Sequence, residues 1–109
     1  MNTKKFKPKY STKDADRDFG PLTFASVILA HRLSEEMTQI EMAKKLGISK
    51  QSLCDLEKGR KIPSPLRAAQ ISKKLGMLPE SFIELALQDQ LRESKLDFTI
   101  SVERHRKAG

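Results

Sequence analysis

Apolar residues recur along most of the chain with a helical period. From Leu22 to about Glu36, Leu22, Ala25, Leu29 and Leu33 fall at three- and four-residue steps, which predicts a first helix. Thr38 predicts the N-cap of a short second helix, and Glu41 three residues later completes a capping box. Met42, Ala43 and Leu46 form its inward face, and Gly47 is suited to end it in a left-handed conformation. Ser49 caps a third helix, with Leu53 and Leu56 inward and Gly59 at its end.

Ser64 and Pro65 occupy the N-cap and first-turn positions of a fourth helix, whose stripe is Ala68, Ile71 and Leu75 and whose stop is Gly76. A fifth helix runs from Pro79 to about Glu93, with Phe82, Ile83, Ala86, Leu87 and Leu91 on a wide apolar face. The period then changes from helical to two. Leu96, Phe98, Ile100 and Val102 alternate with Asp97, Thr99, Ser101 and Glu103, a strand pattern. The expected organisation is therefore a flexible basic arm over residues 1–19, a five-helix all-α domain over 20–93, and a C-terminal strand with a basic tail over 94–109.

Composition narrows the class of molecule. A chain of 109 residues suits one domain with a modest core. Its single cysteine, Cys54, excludes an internal disulfide and points to a reducing compartment. There is no apolar run long enough to span a bilayer and no signal-peptide pattern, so a cytoplasmic protein without a membrane role is expected. The net charge of +7 favours a polyanionic partner. Residues 1–21 hold six basic and three acidic residues, and residues 22–61 hold seven and five, so much of the excess lies in the first half.

Catalytic and metal chemistry find little support. Asp14, Asp16 and Asp18 alternate as in a calcium loop, but Phe19 and Ala25 stand where Gly and Glu are required. Cys54, His31 and His105 lack ligand spacing. There is no phosphate-binding glycine loop or nucleophile elbow, so no enzyme and no cofactor are expected.

The second and third helices carry the functional signal. Ala43 is small where a neighbouring helix must cross closely, Gly47 supplies the turn, and Ile48, Leu53 and Leu56 lock the pair. Two helices joined this way set one across a phosphate backbone and the other in a major groove. In 100° steps, the side of the third helix opposite Leu53 and Leu56 carries Gln51, Cys54, Asp55 and Lys58, with Lys50 at its edge. Gln pairs bidentately with adenine and Lys donates to guanine, so Lys50, Gln51 and Asp55 are the candidate base readers, with Ser52 a marginal contact. Gln39 opens the second helix and Ser49 caps the third, where side chains and backbone N–H groups meet phosphate. Lys58, Arg60 and Lys61 are candidate phosphate contacts.

Thr38-Gln39, Met42-Ala43, Leu46-Gly47-Ile48-Ser49, Ser52-Leu53, Leu56-Glu57-Lys58-Gly59-Arg60 and Ile62-Pro63-Ser64 together resemble the Cro/CI-type (XRE) helix-turn-helix family over residues 22–78. The resemblance implies a five-helix, lambda-repressor-like domain that binds double-stranded operator DNA as a homodimer. It also implies a buried ion pair between Arg32 and Glu57 that braces the first and third helices. Beyond Leu78, the segment Phe82 to Val102, including Leu85-Ala86-Leu87-Gln88-Asp89-Gln90-Leu91, is similar to extensions found in some small antitoxin-type regulators such as the HigA group, which implies an alternative role: neutralising a protein toxin through the C-terminal region while repressing its own operon. A lone strand needs a partner for its edge, either a second copy or another protein.

Overall fold

The computed structural model describes residues 22–105; the basic arm and the end of the tail lie outside them. The described chain folds as α1 (Phe24–Ser34), α2 (Gln39–Leu46), α3 (Lys50–Glu57), α4 (Pro65–Leu75) and α5 (Pro79–Glu93). No strand occurs among the described residues, and no helix there is long and apolar enough to cross a membrane.

Helix starts follow side-chain chemistry. Thr23, Thr38, Ser49 and Ser64 each accept the backbone N–H three residues on, at 3.0–3.1 Å. At α2 the bond is reciprocated, because the Thr38 N–H donates to Glu41 Oε1 at 2.8 Å, which is the capping box expected from the sequence. Gly47 ends α2 at φ 71°, a left-handed turn that points the chain into α3. The Lys74 ammonium donates to the Leu46 carbonyl at 3.1 Å, satisfying one of the free acceptors at that helix end.

The core joins all five helices. Phe24 and Ile28 of α1 meet Met42, Ala43 and Leu46 of α2, Leu53 and Leu56 of α3, Ala68, Ile71 and Leu75 of α4, and Phe82 and Ala86 of α5. Phe24 and Phe82 pack edge to face with ring centroids 5.4 Å apart, tying the first helix to the last.

The α1 residues that recur at helical spacing are not the ones the fold buries. Helix α1 starts at Phe24, after Leu22, and its buried residues are Phe24 and Ile28; Leu22 and Leu33 are exposed, and Ala25 and Leu29 are only half-buried. The segment FASVILAHRLS is apolar on nearly every side, so its own periodicity selects no face. Packing does: Phe24 meets Phe82 of α5 edge to face, Arg32 is tied to Glu57 of α3, and Ile28 is buried in the shared core.

The C-terminal strand is corrected. After α5 the chain reverses at Lys95, which holds a left-handed φ of 60°, and Leu96 N–H donates to the Leu91 carbonyl at 2.9 Å. Residues 96–105 then run back along α5. Gln88 donates to the Phe98 carbonyl at 2.7 Å and accepts the Ile100 N–H at 2.8 Å. Glu84 accepts the Val102 N–H at 3.1 Å, and Glu80 pairs with Arg104 at 3.1 Å. The spacing explains the fit: four residues of helix rise roughly 6 Å, and two residues of extended chain cover roughly 6.6 Å. The alternating pattern thus marks extended backbone, but side chains of a helix replace the neighbouring strand.

Candidate nucleic-acid interface

Helix α3 buries Leu53, Leu56 and Glu57 and turns its other side outward. Ser49, Lys50 and Gln51 are exposed at its N-terminal end, and Ser52, Cys54 and Asp55 are half-buried. Lys58, Arg60 and Lys61 are exposed where the chain leaves the helix. The side chains of Lys50 and Lys58 make no hydrogen bond or ion pair among the described residues. Ser49 is committed to the helix cap and also donates to Ser52 Oγ at 3.0 Å.

Beneath this surface lies a buried polar brace. Arg32 Nε donates to Glu57 Oε2 at 2.7 Å and its Nη2 to Oε1 at 3.1 Å, while Nη1 reaches the Met37 carbonyl at 3.0 Å. The Glu57 side chain is 4% exposed. The pairing implied for Arg32 and Glu57 is present, and it has a third member. Gln39 Nε2 donates to Glu57 Oε1 at 2.9 Å, so the first residue of α2 is fastened to the last residue of α3. Gln39, a candidate phosphate contact, has a definite internal partner for its side chain and is half-buried. The brace spans α1, α2 and α3 across 25 and 18 residues of sequence, beyond the reach of any local pattern.

A second cluster sits on the outer side of α3. Asp55 Oδ1 accepts from Gln51 Nε2 at 3.1 Å and from Arg60 Nε at 2.9 Å. Arg60 Nη2 also lies 3.5 Å from Cys54 Sγ. The Arg60 hydrogen bond, opposed by partial desolvation and helped by Gln51, holds the Asp55 carboxyl below the usual carboxylate range. The same bond raises Arg60 above the ordinary guanidinium value. Asp55, a candidate base reader by sequence, thus has two side-chain partners, and the Gln51 contact has a local signal, since Gln and Asp four residues apart on a helix are neighbours. Among the described residues no group of three or more His, Cys, Asp or Glu side chains is placed to hold a metal ion.

This arrangement coincides with a known family. The helix-turn-helix family HTH_3 matches residues 28–83, more than half the chain. The chain belongs to the HTH_3 family. Its relatives include an uncharacterized HTH-type transcriptional regulator from Methanothermobacter thermautotrophicus, 39% identical over 51 residues, covering 47% of this chain and 74% of that protein. A similar uncharacterized regulator from Methanocaldococcus jannaschii is 40% identical over 47 residues, 43% of this chain and 71% of the relative. Among solved structures, an HTH_3 family transcriptional regulator from Vibrio cholerae superposes with a TM-score of 0.50 at 25% identity, over 65% of this chain. The shared part is 39% of the Vibrio cholerae chain. The HTH_3 chain described here is an HTH-type transcriptional regulator that binds DNA, and α2 and α3 are its helix-turn-helix.

Proposed function

We propose that the protein is a repressor that binds a palindromic operator as a homodimer and blocks transcription by occupancy, with no chemical step. The observation that carries this reading is the outer face of α3. Lys50 and Gln51 stand exposed at the N-terminal end of the helix, opposite buried Leu53 and Leu56, and Lys58, Arg60 and Lys61 follow as an exposed basic run. N-terminal residues of a recognition helix reach base edges first, and flanking cations meet phosphates. Lys50 and Gln51 therefore read bases, with Ser52 at the margin. Lys58, Arg60 and Lys61 neutralise the backbone, together with the α2 N-terminus at Gln39 and the α3 N-terminus at Ser49.

Two subunits place two α3 helices in successive major grooves, roughly 34 Å apart. What supports a dimer is the C-terminal region, where exposed Leu96 and Phe98 border a groove of about 410 Å³ that Leu85 and Ile100 also line.

The test is selection of bound duplexes from a random pool, followed by a salt series on the winner. A palindromic winner whose affinity falls steeply with salt is expected. Gln51→Ala should then relax one base position and weaken specific binding by about 1–3 kcal/mol. Absence of enrichment over random DNA would overturn the reading.

A further inference from the structure

We infer that Asp55 is a positioning residue for base readout: it fixes the Gln51 carboxamide in one orientation and draws Arg60 to the same face, without itself touching a base. The inference rests on the DNA-reading role of α3. Asp55 Oδ1 accepts both the Gln51 Nε2 hydrogen bond at 3.1 Å and the Arg60 Nε hydrogen bond at 2.9 Å. The Asp55 side chain is 15% exposed, whereas that of Arg60 is 51% exposed. The carboxylate is recessed, and the groups it holds stand in front of it.

The chemistry of the acceptor decides which way Gln51 points. An ionised carboxylate only accepts, so the amide nitrogen, not the oxygen, must face Asp55. One N–H is thereby committed. The carbonyl oxygen and the remaining N–H are left facing outward, which is the acceptor–donor pair that matches the exocyclic amine and N7 of adenine. Without Asp55 the carboxamide can turn over and present the reversed pair, and discrimination between bases is lost.

Charge argues the same way. A bare carboxylate on this face would repel phosphate. Arg60 offsets that charge, and the loop after α3 folds back so that both Arg60 N–H and Lys61 N–H donate to the Asp55 carbonyl, at 2.9 and 3.4 Å. Arg60 keeps guanidinium N–H groups free for the DNA backbone.

The experiment is a two-residue cycle read base by base. The full-length protein and the Asp55→Ala, Gln51→Ala and doubly substituted variants are titrated against the selected operator, every single-base variant of one half-site and a random duplex. Circular dichroism confirms folding of each. Asp55→Ala should cut the preference at the base pair read by Gln51 about tenfold while binding to random DNA holds or tightens. In the Gln51→Ala background the same change should have no effect at that base pair. Asp55→Asn, which keeps an acceptor oxygen in place, should retain more of the preference than Asp55→Ala. Equal losses on all duplexes, or additive effects of the two substitutions, would overturn the positioning role while leaving operator reading intact. A wild-type protein that binds operator and random duplex alike would overturn both.

Discussion

Glu57→Ala removes the centre of the brace that joins the first three helices. Glu57 accepts three hydrogen bonds, two from Arg32 and one from Gln39, at 2.7–3.1 Å. Each bond to a charged group contributes about 1.5–3 kcal/mol, but the three share one carboxylate and do not add. The larger cost is what remains: a guanidinium whose side chain is only 14% exposed, without its counter-charge. Breaking a buried pair from one side costs about 3–5 kcal/mol. Arg32 keeps its bond to the Met37 carbonyl, so the low end, about 3 kcal/mol, is expected. For a domain of this size that lowers the melting temperature by roughly 10–20 °C. Urea unfolding followed by circular dichroism measures the free-energy loss, and a thermal melt measures the shift in melting temperature. Replacing both partners, Arg32→Met with Glu57→Met, should recover most of the loss, since apolar substitutes leave no stranded charge. A loss below about 1 kcal/mol for Glu57→Ala, or a double variant no better than the single, would refute the reasoning.

Other consequences follow from particular contacts. Gly47→Ala should destabilise by about 1–2 kcal/mol and more than Gly76→Ala: both sit at φ 71°, but a Cβ at Gly47 comes within 3.1 Å of Lys74 Nζ, while one at Gly76 meets nothing within 4 Å. Thermal melts of the two variants compare them directly. Asp89 is pushed above the usual carboxylate value by desolvation, against the opposing effects of the Phe24 N–H and Arg92. Its protonated form is favoured in the fold, so its contribution to stability falls as pH rises from the ordinary carboxylate value, 3.8, through the raised one. Asp89→Asn should flatten that part of the stability–pH curve. Gln88→Ala should release the C-terminal segment, seen as loss of hydrogen-exchange protection at the Ile100 amide, while the core amides of α3 keep theirs.

Much of this molecule is local, and what is local can be read from sequence. The caps at Thr38, Ser49 and Ser64 and the stop at Gly47 depend on residues within four positions, so their helices could be placed from sequence alone. The helix-turn-helix was legible for the same reason: Ala43, Gly47, Leu53 and Leu56 do their work within one short stretch. The rest needed partners distant along the chain. Which face of α1 is buried was decided by its packing on α3 and α5, through Arg32 to Glu57 and Phe24 to Phe82, because the helix is apolar nearly all round. The alternating residues 96–103 announced extended backbone, but only the folded chain showed that Gln88 and Glu84 would supply its hydrogen bonds. The tie from Gln39 to Glu57 and the common oxygen at Asp55 likewise arise where helices and loops converge. Sequence determines conformations whose interactions close within a turn or two. Tertiary structure decides wherever several faces compete, because only packing removes one of them from water.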